Sequence, residues 1–439
     1  MTQVSKSLPV RFALTFAAMS GCVASGCSKT WRAPEAMSTG VGSGAGASGV
    51  GGSPVAGAGG ALGSAGSSVG EGGAGGVPLS SGGAGGAGGP TAAGDCSLAP
   101  SVPVSVALGA INQQAPAWYA TPEALSVAEN ILYYRNVDGG WPKGIDMTRR
   151  TAARDTESTI DNNSTTTQTD YLARVYTATQ CARYGDAAAA GIQYLLDAQY
   201  DNGGWPQVYP NAEGYPTHIT FNDDAIVHVL NLLRDVAAGV DRFAFADAAL
   251  ASNAAAAVEG GIRVILDTQI ELDGVKTGWC AQHDEVTLEP AQARSYELPS
   301  LSGSEGARLL RFLMTIEEPS PEIIDAVQSA AAWFEAVKIE GIRVNETVDA
   351  TQETGEDRVV VEDPAAPPIW ARFYELGTYR PFFSSRCEVP ECEDDPFFMR
   401  RYTLAEIDNE RRVGYAWYGD WPAQLLSTTY PTWRARWAP

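Results

Sequence analysis

Apolar side chains recur at helical spacing along much of the chain. Ala124, Val127, Ala128, Ile131 and Leu132 fall on one face of a helix, and Ala188, Ile192, Leu195 and Leu196 do the same later. Comparable periodicity predicts helices over 165–178, 224–236, 243–267, 305–316, 321–338 and 404–412. Alternation of β-branched residues is scarce, and residues 359–361 form the one local strand predicted. The pattern reads as an all-α domain.

Two of the apolar runs end in the same sentence of sequence. Asn136-Val137-Asp138-Gly139-Gly140-Trp141-Pro142-Lys143 follows the first, and Tyr200-Asp201-Asn202-Gly203-Gly204-Trp205-Pro206-Gln207 follows the second, 64 residues on. Repetition of a helix and its loop predicts helix pairs set around an axis, an α/α toroid of the incomplete (α/α)3 type. Long loops at one end would then form a substrate cleft. The Gly-Gly-Trp turns carry two readings. Gly can end a helix while Trp caps the core, or the indole can offer a stacking face to a sugar.

Composition changes this picture at the N-terminus. More than half of the 47 glycines lie between Gly40 and Gly94, in a stretch nearly free of aromatic and charged residues that cannot build a core. Lys6 and Arg11 precede a short apolar run from Phe12, which reads as an export signal rather than a membrane span. Met19-Ser20-Gly21-Cys22 and Ala24-Ser25-Gly26-Cys27 resemble the lipoprotein cleavage box, so either Cys22 or Cys27 is the expected lipid anchor. The expected organisation is a signal over 1–27, a flexible linker over 28–100 and a catalytic domain over 101–439. Such a chain would be an exported monomer without a transmembrane helix, secreted or held at the cell envelope.

The net charge of −22 disfavours nucleic acid as a partner, because that binding depends on basic residues meeting phosphates. Of the cysteines beyond the linker, Cys387 and Cys392 flank a short loop and are expected to pair. Cys96, Cys181 and Cys280 have no partner assignable by spacing. His218, His228 and His283 show no metal-ligand spacing to a cysteine or to one another. No nucleophile elbow, P-loop or dinucleotide fingerprint is present.

Polar residues accumulate instead where helices should begin. Asp161-Asn162-Asn163 precedes one run, Asn222-Asp223-Asp224 a second, and Arg294-Ser295-Tyr296-Glu297 lies ahead of a third. Helix capping accounts for one such residue per helix. The surplus carboxylate and amide oxygens suit Ca²⁺ rather than a soft metal.

Taken in order, these segments resemble the family 10 polysaccharide lyases, pectate lyases with an α/α-toroid fold. The match rests on Asp138-Gly139-Gly140-Trp141-Pro142-Lys143, Thr159-Ile160-Asp161-Asn162, Asn202-Gly203-Gly204-Trp205-Pro206-Gln207, Phe221-Asn222-Asp223, Gly278-Trp279-Cys280-Ala281-Gln282-His283-Asp284, Arg294-Ser295-Tyr296-Glu297-Leu298-Pro299-Ser300 and Ala371-Arg372-Phe373-Tyr374-Glu375-Leu376 through Arg380. The resemblance implies cleavage of demethylated polygalacturonate by calcium-assisted β-elimination, giving unsaturated oligogalacturonates. It implies Arg294 as the catalytic base, with Asp161 beside it in the catalytic set. Asp161 and Asp223 are the implied calcium-binding pair, and Arg380, Asn162, Lys143 and Tyr296 are the implied substrate contacts. One departure stands out: the family usually has Gly where this chain has Asn163.

The residue types suit that chemistry. The proton on C5 becomes acidic once charge on the neighbouring uronate carboxylate is neutralised, which a calcium ion and cationic side chains achieve. A nearby cation and a cleft of low dielectric would ease deprotonation of Arg294. Calcium would also reconcile an acidic protein with a polyanionic substrate. An alternative from another class is a pectin-binding surface protein on the same fold without turnover, against which the retained Arg294 argues.

Overall fold

The computed structural model describes residues 101–150 and 157–438, so the signal and the whole of the linker lie outside the described residues. Seven helices carry the architecture: α1 (Pro122–Tyr134), α2 (Thr166–Thr179), α3 (Ala182–Asp197), α4 (Ala225–Ala237), α5 (Ala248–Asp267), α6 (Glu305–Leu313) and α7 (Pro321–Ala336). α2, α4 and α6 pack along one another, as do α3, α5 and α7, and each helix of the first set packs on the one that follows it. The result is three helical hairpins side by side in two layers, with α1 against α2. The chain is thus helix-rich and all-α in class.

Side-chain caps are present at some helix starts and missing at others. Thr121, Asp247 and Ser320 each accept a backbone N–H at the start of α1, α5 and α7. The residues preceding α2, α4 and α6 give no side-chain cap. The polar turns that open α2 and α4 are therefore not explained by capping, and their side chains serve something else.

A recurring tryptophan locks the layers together. The indole N–H of Trp141 donates to the Ile131 carbonyl at 2.8 Å and that of Trp205 to the Leu195 carbonyl at 2.7 Å, each ten residues back in the preceding helix. Trp279 does the same to Ile265 of α5 at 2.7 Å, and Trp370 to Phe334 of α7 at 2.8 Å. All four rings are buried, so the structural reading of the Gly-Gly-Trp turns holds and the sugar-stacking one does not. The preceding glycines allow the close fit. Gly139 and Gly203 have φ of 95° and 91°, and a Cβ there would stand 2.5 Å from the Ala190 carbonyl oxygen and 2.1 Å from that of Gly260. Gln199 bridges the same junction by donating to Ala257 in α5, and Gln269 repeats this toward Ala326 in α7. Trp205→Ala is expected to cost about 3–5 kcal/mol in a denaturant titration.

α5 is apolar enough to cross a membrane by length and composition, with a mean hydropathy of 1.3. Its packing on α3, α4 and α7 makes it a wall helix of this domain. Among the described residues, only one strand pair exceeds two residues per strand: β1 (Ile342–Val348) and β2 (Glu356–Glu362), which contains the predicted 359–361. The run predicted over 404–412 is not one helix. Thr403 and Glu406 close a capping box on the single turn Leu404–Glu406, Ile407 is extended and buried, and a new helix starts at Asn409. The run predicted from 243 likewise begins as α5 only at Ala248, where Asp247 caps it.

A second apolar cluster of Leu298, Phe373, Phe382, Phe383, Leu404, Ile407 and Trp417 lies apart from the helical core. It seats the loops that carry Arg294 and Tyr415. Cys387 and Cys392 are paired as expected. Cys181 is also disulfide-bonded, and Cys280 is a buried free thiol.

Candidate active site

The turns ahead of α2 and α4 have the same shape. Ile160 and Phe221 occupy φ of −98° and −95°, Asn162 and Asp223 both lie at 49°, and Asn163 and Asp224 lie at 61° and 63°. The repeat thus matches Asp161 with Asn222 and Asn162 with Asp223. A positive φ is the reason a glycine suits position 163, and asparagine is among the side chains that tolerate it best. The substitution of Asn163 for glycine is accommodated without a change of turn.

Asp161 and Asp223, read together from the sequence, sit in different surroundings. The Asp161 side chain is 5% accessible and its Oδ2 takes an ion pair from Lys143 and a 2.7 Å hydrogen bond from Gln207. Lys143 and Gln207 are the residues after Trp-Pro in the two repeated loops, so both repeats deliver a donor to one carboxylate. The Asp223 side chain is 41% accessible, with the Asn222 amide at 3.1 Å and Arg372 at 3.9 Å. Burial raises the Asp223 pKa above its ordinary value; Arg372 and Arg294 oppose the rise, and Glu305 and Asp161 add to it. Asn162 is exposed beside it in the matching turn.

Arg372 lies beneath Asp223. It pairs with buried Glu305, approaches the Asn222 side-chain oxygen at 3.4 Å, and stacks at 4.6 Å over the Tyr415 ring. Glu305 in turn accepts from the Ser302 hydroxyl. Arg372, which belongs to the motif that runs on to Arg380, is thus a paired residue. The pairing is buried directly under the exposed carboxylate.

Arg294 stands on a tight turn in which the Glu297 N–H donates to the Arg294 carbonyl at 2.8 Å. That turn brings the Glu297 carboxylate, 5% accessible, onto Arg294. It accepts from Nε at 2.7 Å, from Nη2, and from the Arg294 backbone N–H at 3.2 Å. The Tyr415 hydroxyl adds a fourth bond at 2.6 Å. Burial works to lower the Arg294 pKa, but the hydrogen bonds and charge of Glu297 outweigh it and hold the guanidinium above its ordinary value. The expected easing by a low-dielectric cleft is therefore more than cancelled in this arrangement. Glu297 itself is held below its ordinary range, since Arg294 and Tyr415 overcome its burial.

Tyr296 is buried, its ring carrying the guanidinium groups of Arg294 at 5.0 Å and Arg411 at 4.6 Å. It supports the arginine rather than presenting a face to a sugar. Arg380 lies over the Tyr402 ring at 3.5 Å, beside the Glu375 and Arg400 pair. Among the described residues, no hydrogen bond or ion pair joins it to the cluster around Asp223. The residues that motif reading passed over are Glu297, Tyr415, Gln207 and Glu305.

The donors exposed at this centre are all oxygens, which fits a hard cation. Asp161 Oδ1 receives no hydrogen bond among the described residues, and the buried side-chain oxygen of Gln207 next to it has no partner. Asp223 and Asp161 are the carboxylates that would hold calcium. Elsewhere His218, Asp284 and Glu285 place ligand atoms within 4.8 Å of one another, a grouping their spacing in sequence does not reveal. Those atoms are engaged in tying loops: Glu285 receives the Thr217 hydroxyl and faces His218 at 3.0 Å, and Asp284 holds the 284–287 turn.

In this all-α domain the charge of the anchored Arg294 acts on the exposed carboxylate of Asp223. The pectic acid lyase profile matches residues 135–426, and the chain belongs to that family as a family 10 polysaccharide lyase. A family 10 polysaccharide lyase from Cellvibrio cellulosa is similar at 33% identity, over 74% of this chain and 94% of that one, with a TM-score of 0.62. An aspartate-to-alanine mutant of a family 10 lyase from the same organism, solved with trigalacturonic acid, matches at 32% identity. It spans 74% of this chain and 95% of that one, also with a TM-score of 0.62. Among curated proteins none matches the chain.

Proposed function

We propose that the chain is an exported pectate lyase that cleaves demethylated polygalacturonate by calcium-assisted β-elimination with Arg294 as base. The observation that carries this reading is the anchored Arg294 guanidinium in the same electrostatic neighbourhood as the exposed Asp223. The trigalacturonic acid bound by the similar Cellvibrio enzyme supports the substrate class. The three helical hairpins are consistent with an incomplete (α/α)3 toroid. Export rests on the sequence of residues 1–27, with Cys22 or Cys27 as the site of a lipid and the Gly-rich linker as a tether.

In this mechanism the C5–H bond breaks and its proton passes to a nitrogen of neutral Arg294. The electron pair forms the C4=C5 bond, and the C4–O pair leaves on the departing sugar oxygen, which is then protonated by water. Bound calcium would neutralise the uronate carboxylate and so acidify the C5 proton. Asp223 and Asp161 would hold that ion, and Lys143 keeps Asp161 oriented. Arg372 offsets part of the negative charge of Asp223 and Glu305. Arg380, stacked on Tyr402, is free to meet a second uronate carboxylate.

The test is ultraviolet absorbance on polygalacturonate with calcium and with a chelator. Absorbance should rise with calcium, stop with chelator and resume when calcium is restored. Retained pectate binding with no absorbance change would instead identify a pectin-binding protein.

A further inference from the structure

The geometry points to Glu297 and Tyr415 as a positioning pair that holds the Nε edge of Arg294 and turns its open end, which carries Nη1, to the substrate proton, an inference that rests on Arg294 being the base. Glu297 takes both Nε and Nη2, the whole of one edge of the guanidinium. Nη1 makes no hydrogen bond or ion pair among the described residues, while the Arg294 side chain is 40% accessible. When the guanidinium loses a proton, Nε keeps its only one and Nη2 keeps the one that it donates, because both go to the carboxylate. The lone pair therefore appears at the open end, on Nη1 or at the second position of Nη2. The C5 proton that arrives there restores the cation, and the hydroxide left when water protonates the departing oxygen takes that proton away again, which closes the cycle.

Tyr415 fixes the carboxylate in turn. Its hydroxyl reaches Glu297 Oε1 from a residue 118 positions away, and its ring lies between Arg372 at 4.6 Å and Arg294 at 5.9 Å. Two distant segments thereby hold one arginine edge. The arrangement also sets opposing demands. Glu297 orients the base but favours its protonated form, so turnover should rise toward alkaline pH. The other charged neighbours are few: Tyr296 stacks on Arg294, Arg411 and Arg386 share that ring, and Arg372, Glu305 and Asp223 lie behind Tyr415 or beyond it.

Two near-isosteric variants separate this from a structural role. Glu297→Gln keeps an acceptor oxygen but removes the charge, so the rising limb of the pH–rate profile should level off about 1–3 pH units earlier than in the unmodified enzyme. Tyr415→Phe removes one bond that stabilises the carboxylate, which leaves more of its charge acting on Arg294. Its limb should move the opposite way, to higher pH. Near-ultraviolet circular dichroism checks that both remain folded. Opposite displacements support the positioning pair. Limbs that coincide with the unmodified profile, or that move in the same direction, overturn it. If Arg294→Ala keeps the full rate, the base assignment itself fails. If that variant is inactive while both limbs stay in place, only the positioning inference fails.

Discussion

Arg294→Ala is expected to lower kcat on polygalacturonate by about 10³-fold, the middle of the range for loss of a positioned general base. The reason is local. One edge of the Arg294 guanidinium is anchored by Glu297 while its side chain stays 40% accessible. Arg372 is buried under Asp223 and paired with Glu305, so it does not substitute. Initial rates from product absorbance measure the effect. Some stability should also be lost, because Glu297 then keeps only the Tyr415 bond and the backbone N–H of residue 294, and a fold check by circular dichroism separates the two effects. A loss below about tenfold would remove Arg294 from the role of base.

Asp223→Ala is the second large effect. Asp223 is the exposed carboxylate of the centre, and calcium contributes several kcal/mol of charge stabilisation to a reaction of this kind. Loss of its carboxylate should lower kcat/KM by about 10²- to 10³-fold and raise the calcium concentration for half-maximal rate. Asp224→Asn is the matched control. Asp224 pairs with Arg308 in the next residue position, and its change should alter stability without altering calcium dependence. Equal calcium responses in the two variants would contradict the placement of the ion at Asp223.

Much of the scaffold was legible because amphipathic spacing is a local property. The faces around Ile131 and Leu195, and the repeated Gly-Gly-Trp-Pro turns, led directly to helices followed by loops. The repeat is longer than sequence suggested. Trp279 and Trp370 perform the task of Trp141 and Trp205, but their loops lack the Gly-Gly pair and their partners lie 14 and 36 residues back. The helix predicted over 404–412 failed because Ile407 is drawn into the second apolar cluster, a tertiary demand that periodicity cannot register. The C-terminal helix Tyr430–Trp437 was missed because its apolar residues are not on one face.

At the centre, Asp161, Asp223 and Arg294 were singled out through the ordered family motifs, and they occupy polar turns and loops from which Asp161 and Arg294 act on the charge of Asp223. Their supports were harder to see. Glu297 follows Arg294 by three residues, a turn spacing that offered a usable signal, yet Tyr415 meets it across 118 positions with no local cue. Gln207 was visible only as the counterpart of Lys143. That both converge on Asp161 follows from the repeat folding back on itself, which a linear reading does not give.

The most direct test of the account is the mass of the products released from demethylated polygalacturonate in the presence of calcium. Elimination leaves a C4=C5 double bond and fragments lighter by one water than the corresponding hydrolysis products. The account predicts these unsaturated oligogalacturonates from the unmodified enzyme and their loss in Arg294→Ala. Exclusively saturated fragments, or unsaturated ones formed equally well without Arg294, would contradict it.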